Sequence, residues 1–590
     1  MQIVEGVIEE IIYRNDDNGY CVLSVFTETD EVTLVGTMFN LSVGEEIRAT
    51  GTYASHHIYG MQFKVDQYQT FIPRDVLSME RYLGSGAIKG IGPALAKRIV
   101  DQFGEETFQI IESNPHALAD IKGISEKKAQ EIAGIFDEQK RMRQVIIFLQ
   151  EFGISLTYAL KIYQEYEDNA IPYIRKNPYR LAEEISGIGF KIADEIATRI
   201  GFDPNSIERV KAALSYVLYK GTTNGHVYLE KMMLINSAEQ LLSTEGLGIE
   251  NALFELQLEQ KVFIEYAGDF DAVYLIAYYN MEQYVANKLY DLTNVTIEKY
   301  NAIDSEIDKI QREQKIELDS IQREAIVDAM NFGVFVLTGG PGTGKTTTIN
   351  AIIEAFVDRD MSVLLAAPTG RAAKKMTETT GYTAKTIHRL LEITMGKDEM
   401  SQKFERNEDY PLECDVVIID ETSMVDIALM YHLLKAIVPG TRLILVGDKD
   451  QLPSVGPGNV LKDIIKSNTI NTITLEKIFR QAAESDIVIN AHKINRGEGI
   501  NLKDKRDFFF INRINANQGL AEIITLIKTR LPEFTGVKSH EGIQVLTPMR
   551  KGTLGVNNLN EALQAALNPI IKDKKEKAYR NTIFRENDKV

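Results

Sequence analysis

Hydrophobic and polar positions alternate with a period of two near the start of the chain. The runs Tyr20-Cys21-Val22-Leu23-Ser24-Val25 and Glu31-Val32-Thr33-Leu34-Val35 are punctuated by turn clusters such as Asn15-Asp16-Asp17-Asn18-Gly19. Several short strands in so small a space predict a β-barrel of the OB type over residues 1–73. The pattern alone suits a structural β module with no ligand equally well. From 74 to 203 the period becomes helical, and Gly90-Ile91-Gly92, Gly123-Ile124-Ser125, Gly153-Ile154-Ser155 and Gly187-Ile188-Gly189 each fall between helical stretches. Residues 204–297 mix helical stretches with strand-like ones at Gly225-His226-Val227-Tyr228-Leu229 and Ala272-Val273-Tyr274-Leu275, which predicts a winged-helix-like module. A charged helical stretch over 298–317 then leads into a half built on three apolar strands, Val334–Thr338, Val416–Ile419 and Leu443–Val446. Strands of that kind, buried on both faces, belong to a parallel α/β sheet.

The recurring tripeptide has a physical reading. Glycine lets the chain turn tightly between two short helices, and the second helix then offers free N–H groups to a phosphate. Basic residues follow the first two turns, at Lys97-Arg98 and Lys127-Lys128. Four such turns favour tandem helix-hairpin-helix contact with DNA backbone, independent of base sequence, over a purely structural bundle. The two serine versions read as degenerate repeats that only pack.

Composition excludes several classes. A chain of 590 residues is too long for one core and implies about four domains. No apolar run reaches the roughly eighteen residues needed to span a membrane, and the N-terminus lacks a basic flank and an apolar signal segment. Cys21 and Cys414 provide neither a disulfide framework nor a zinc site, which fits a reducing cytoplasm. His226 has no second metal-type residue at ligand spacing and reads as a packed or surface histidine. The net charge of −18 argues against a histone-like binder, but local patches decide whether a groove attracts DNA.

The chemistry lies after the first apolar strand. Gly339-Gly340-Pro341-Gly342-Thr343-Gly344-Lys345-Thr346 satisfies the Walker A pattern, and a helix from Thr347 follows. The loop from Gly340 to Thr347 would cradle the phosphates of ATP with its available backbone N–H groups, Lys345 would add positive charge, and the Thr346 hydroxyl would ligate Mg²⁺. The second strand ends in Asp420-Glu421, the Walker B arrangement. Asp420 would hold Mg²⁺ through water, while Glu421 would orient and deprotonate the attacking water.

Beyond these, Asp420-Glu421-Thr422-Ser423-Met424 and Gly447-Asp448 with Gln451-Leu452-Pro453 resemble motifs II and III of superfamily-1 helicases. Ala367 to Ala373 resembles motif Ia and Thr386-Ile387-His388 motif Ib, both loops that touch single-stranded DNA in that superfamily. Leu318 to Gln322 resembles the Q motif, and Ile478-Phe479-Arg480-Gln481 resembles motif IV. With Thr547-Pro548-Met549-Arg550-Lys551-Gly552, the wording is similar to the RecD family, in its stand-alone bacterial form. The resemblance implies a first RecA-like domain over 298–467 carrying a short pin at about 392–412, and a second, incomplete one over 468–590. It implies that Gln322 reads the adenine edge, that Arg480 reaches the γ-phosphate, and that Gln451 couples phosphate state to the DNA groove. It implies 5′→3′ unwinding in repair or recombination, on single-stranded and tailed duplex DNA, in the bacterial cytoplasm, with a single-stranded-DNA-binding protein as a further partner. Motifs V and VI are not found in these 590 residues, so a chain ending here is expected to bind ATP–Mg²⁺ and DNA without unwinding a duplex. Two rival readings stand beside it: a P-loop ATPase that remodels RNA or protein, and a DNA-binding scaffold that only senses nucleotide.

Overall fold

The computed structural model describes residues 2–589 apart from 15–19, 28–29, 39–40, 57–59, 72, 74, 86–87, 89, 244–247, 301–302, 395–402, 480–483, 503–505, 538–541, 572–573 and 580–581. Arg480 and Gln481, and the middle of the expected pin, therefore lie outside the described residues.

The period-two segment forms β1 (Gln2–Arg14), β2 (Tyr20–Phe26), β3 (Glu31–Thr37), β4 (Glu46–His56) and β5 (Gly60–Phe71). They close into a barrel in the order β1-β2-β3-β5-β4, with β3 and β5 parallel and the other pairs antiparallel. Ile8, Leu23, Leu34, Ile47 and Phe63 fill its interior. Full closure removes both sheet edges.

The helical region carries two separate cores. One spans α1 (Val76–Gly84), α2 (Pro93–Phe103), α3 (Thr107–Ser113) and the first part of α4 (Glu126–Glu151), around Tyr82, Ile99, Ile111 and Phe136. The other starts at Val145 and runs without a break to Val273. It holds α5 (Leu156–Tyr166), α6 (Ala170–Lys176), α7 (Arg180–Glu184), α8 (Phe190–Ile200) and α9 (Ile207–Thr223). The same core then takes in β6 (Tyr228–Glu230), α10 (Lys231–Leu242), α11 (Ile249–Leu258), β7 (Val262–Tyr266) and β8 (Asp271–Leu275). Strands β6, β8 and β7 form an antiparallel sheet, the winged-helix-like arrangement, and this module shares its core with the third and fourth hairpins.

The linker α12 (Ile276–Asn294) packs on the motor, and α13 (Asp304–Gln314) is part of it. Ile303, Ile307 and Ile310 sit in the same core as Phe335 and Phe356, so the charged stretch read as a connector has an apolar stripe that the motor buries. The buried Arg442 guanidinium fixes this segment further, donating to the carbonyls of Glu298 (2.9 Å) and Met330 (3.0 Å). After α14 (Ser320–Asn331) comes a six-stranded parallel sheet in the order β11-β10-β14-β15-β9-β16. Its members are β9 (Val334–Gly339), β10 (Val363–Ala367), β11 (Ala384–Thr386), β14 (Val416–Ile419), β15 (Arg442–Gly447) and β16 (Asn471–Leu475). Every residue of β9, β14 and β15 is buried, as apolar runs covered by helices on both faces require. Between β11 and β14, Ile393–Thr394 and Lys403–Phe404 pair as a two-stranded antiparallel stalk, β12 and β13, within the range expected for the pin.

Candidate nucleotide site and DNA-facing surfaces

The loop from β9 to α15 (Lys345–Val357) lies at the C-terminal edge of the sheet, where ligands of open α/β sheets bind. Gly344 caps α15 with φ of 83°, and an added Cβ would stand 2.6 Å from the Gln322 amide nitrogen and 2.8 Å from the Phe479 ring. Only glycine fits there. The Thr343 hydroxyl donates to the Gly340 carbonyl at 2.9 Å and staples the loop. Pro341, Gly342 and Thr346 are exposed, so the first turn of α15 presents its free N–H groups and the Thr346 hydroxyl to solvent, with Thr347 half-buried behind.

Lys345 is half-buried, and its ammonium donates to the carbonyls of Gly339 and, at 3.1 Å, Gly340. Burial pushes its pKa below the ordinary lysine value, against the opposing pull of Asp448, Glu421 and Asp420. Those carboxylates converge from two neighbouring strand ends: Asp420 and Glu421 follow β14, and the buried Asp448 follows β15. Burial pushes the Asp420 carboxyl up, although the Glu421 N–H donates to it at 2.8 Å. Glu421 is raised by burial first and by Asp420 second. Its backbone holds φ of 53°, a left-handed conformation that costs a side-chain-bearing residue about 1–2 kcal/mol. Such strain is typically stored where a side chain must be aimed. Among the described residues no three His, Cys, Asp or Glu side chains group into a metal cluster. The donor set nevertheless suits one hard divalent cation: carboxylates whose charge is under-compensated, a nearby threonine hydroxyl, and room for phosphate oxygens to complete the shell.

Gln322 is buried and spends its side-chain carbonyl on the Asp319 N–H (3.1 Å) in a capping box, while its amide nitrogen faces the P-loop at Gly344. Gln451 lies on the exposed turn after β15, its N–H donating to the Asp448 carbonyl at 3.2 Å. Two residues that no motif had singled out for a role also reach the loop from beyond β16. The Phe479 N–H donates to the Gly342 carbonyl at 3.2 Å, and the His492 ring lies 3.3 Å from the Pro341 carbonyl. Asp448 was visible in motif III, but its effect on Lys345 follows only from the pairing of Gly447 with Thr338 across β15 and β9.

Motif Ia forms the turn from β10 into α16 (Gly370–Thr380), where the Thr369 hydroxyl caps the helix and Arg371 donates to the Gln544 side chain at 2.8 Å. Thr386 caps the short helix α17 (Ile387–Leu390), with Ile387 buried and His388 half-buried.

The four hairpins turn on a glycine of the same kind. Gly90, Gly123, Gly153 and Gly187 all have φ between 72° and 104°. In three of them a side chain from a neighbouring hairpin helix also braces the turn. Arg98 donates to the Lys122 carbonyl, Arg199 to Phe152 (2.9 Å), and Lys161 to Ser186 (2.9 Å). Gly92 and Gly189, at the following helix N-termini, have nothing within 4 Å of an added Cβ. In the serine version at 125, the Ser125 hydroxyl instead accepts the Lys128 N–H at 3.2 Å, so that helix end is partly capped by its own chain.

Comparison with known proteins places these parts. Residues 1–73 match the family described as ATP-dependent DNA helicase YrrC, OB-fold domain, and 83–133 the SAM-like helix-hairpin-helix tandem. Residues 138–228 match the ATP-dependent RecD2 DNA helicase HHH domain, and 322–457 an AAA domain. The ATP-dependent RecD2 DNA helicase of Deinococcus radiodurans is 30% identical over 96% of this chain and 79% of its own length. The RecBCD enzyme subunit RecD of Mycolicibacterium smegmatis is 40% identical over 25% of this chain and 30% of its own. Among solved structures, Pif1 helicase from Candida albicans is 23% identical, covering 36% of this chain and 55% of that one at a TM-score of 0.25.

Proposed function

The chain belongs to the RecD-like family of ATP-dependent DNA helicases, and we propose that it moves 5′→3′ along single-stranded DNA, driven by ATP hydrolysis at the loop 339–347. The observation that carries this is the convergence of Lys345, Asp420, Glu421 and Asp448 at the end of one parallel sheet, beneath a P-loop. In this reading the loop N–H groups and Lys345 bind the phosphates, and the lysine leaves the Gly339 and Gly340 carbonyls to do so. Thr346 and Asp420 hold Mg²⁺, which supplies charge neutralisation across the phosphates. Glu421, with its raised pKa and aimed backbone, takes the proton of the attacking water. Gln322 contacts the base with its remaining amide protons, Arg480 reaches the γ-phosphate, and Gln451 carries the phosphate state from its exposed turn towards the DNA strand. Motifs Ia and Ib hold that strand, and the stalk at β12–β13 meets the duplex.

The hairpins grip DNA backbone ahead of the motor, through the open helix starts at Gly92 and Gly189. Single-stranded and 5′-tailed duplex DNA are the substrates, and a single-stranded-DNA-binding protein is a further partner. Among the described residues no helix is long and apolar enough to cross a membrane, and work in the bacterial cytoplasm, in repair or recombination, accords with this reading. An RNA or protein remodeller would have no use for two braced pairs of hairpins. The test is ATP hydrolysis with and without single-stranded DNA, RNA and unfolded protein, beside strand displacement on 5′- and 3′-tailed duplexes. Stimulation by DNA alone is expected, with any displacement confined to the 5′-tailed duplex. Stimulation by RNA or protein instead, or no stimulation, would overturn the reading.

A further inference from the structure

The phosphate loop is touched on its outer rim by a helix that no motif marks. Asp486–Asn495 lies beyond β16, in the segment assigned to the second motor domain. It is a stiff element. The Asp507 carboxylate accepts the Ser485 hydroxyl (2.6 Å) and the N–H groups of Asp486 (2.8 Å) and Ile487 (3.3 Å), and Asn490 exchanges two hydrogen bonds with Asn501. Near its far end, His492 places its ring on the rim, with Nε2 3.3 Å from the Pro341 carbonyl. A carbonyl can only accept, so the imidazole donates through Nε2–H.

The approach is close. A Cβ on Gly340 would stand 2.6 Å from the His492 Cε1. A side chain at Gly340 would have to push this ring aside. The carbonyl of this same glycine accepts the Thr343 hydroxyl (2.9 Å) and the Lys345 ammonium (3.1 Å). One short segment thus carries the lysine on one side and the second domain on the other. A phosphate that draws Lys345 away changes what the rim holds, and a shift of the Asp486–Asn495 helix moves the resting place of the lysine.

We propose that His492 is a positioning residue that couples the second motor domain to the phosphate loop, a role that rests on the reading of the chain as an ATP-driven motor. Its effect belongs to turnover, which needs the two domains to move together, while nucleotide binding draws on the first domain.

The experiment measures DNA-stimulated hydrolysis and binding of a fluorescent ATP analogue for wild type, H492L and H492Q. Leucine keeps the packing and removes the donor; glutamine keeps an N–H of similar reach. One neutral hydrogen bond is worth roughly a three- to tenfold effect. H492L should lose about that much kcat with KM and analogue affinity within about twofold, and H492Q should recover at least half of the loss. Gly340→Ala should reach a similar level by displacing the ring, and combining it with H492L should add little further. H492L turning over like wild type, both variants falling alike, or affinity falling as far as kcat would overturn the proposal. A wild type whose hydrolysis ignores DNA would overturn the functional reading, and this proposal with it.

Discussion

Replacing Lys345 by methionine separates what this lysine does for the fold from what it does for the ligand. Its ammonium sits in a half-buried loop where burial outweighs the attraction of Asp448, Glu421 and Asp420, so its folded pKa is below the ordinary lysine value. The sign follows directly. A depressed lysine pKa means that the folded state disfavours the charge, so at neutral pH the protonated lysine costs the nucleotide-free protein stability. Methionine fills similar volume without that cost. Against this stand the two hydrogen bonds to the Gly339 and Gly340 carbonyls, and Gly340 keeps the Thr343 hydroxyl after the change. The two effects oppose each other, and the motor transition on thermal melting should move by no more than the equivalent of about 1 kcal/mol. Binding behaves differently. A hydrogen bond to a charged group is worth about 1.5–3 kcal/mol, so ATP affinity should fall roughly 10- to 150-fold and hydrolysis should vanish. Calorimetry or fluorescence titration at fixed ionic strength, beside a melting curve without nucleotide, reads both. A large drop in melting temperature, or ATP affinity within about threefold of wild type, would refute the argument.

Three further outcomes follow from the same geometry. Glu421→Gln should keep ATP affinity within a few-fold while turnover falls by 10² or more, the scale of a lost general base; normal hydrolysis by this variant would end the assignment. Because burial raises the folded pKa values of Asp420 and Glu421, their charged forms cost stability that is recovered as pH falls through those values. The D420N/E421Q double variant should accordingly melt above wild type at pH 8 without Mg²⁺ or nucleotide, by a margin that shrinks towards the ordinary carboxylate range; a gap independent of pH would contradict it. Valine at both Gly92 and Gly189, each with open space at its Cβ and an ordinary negative φ, should leave melting unchanged and weaken DNA binding evenly across sequences at low salt; unchanged affinity would leave the hairpins a packing role.

The P-loop, the strand-end carboxylates, the barrel and the hairpins were legible in the sequence because each rests on local order. A turn needing positive φ shows as glycine, as at Gly187 or Gly344, and a strand covered on both faces shows as an unbroken apolar run, as at Val416–Ile419. What was hidden depends on approach from afar. Nothing near Asp304–Gln314 shows that Ile307 and Ile310 share a core with Phe356, since a charged amphipathic helix reads alike whether it bridges domains or packs on one. The continuity of the Val145–Val273 core was hidden for a similar reason: a hairpin glycine at 187 and a new helix at 207 suggest a boundary, while Tyr179, Phe190 and Val210 pack straight through it.

The same limit explains how the loop 339–346 was read. Its glycines satisfy a phosphate-binding pattern, and that pattern accounts for each of them without reference to a second domain. The structure divides the work among them. Gly344 makes room for Gln322 and Phe479, Gly340 makes room for His492, and Gly342 lends its carbonyl to the Phe479 N–H. Two of these three neighbours, Phe479 and His492, come from beyond β16, so in the proposed reading the loop would be an interdomain contact as well as a phosphate cradle. An ATPase that used its P-loop only to bind phosphate would need no such contacts, because free N–H groups and one lysine suffice for binding. A motor needs them: ligand binding can shift a domain equilibrium only through contacts that differ between the two arrangements. Contacts made directly on the loop that the phosphate reorders are the shortest such route.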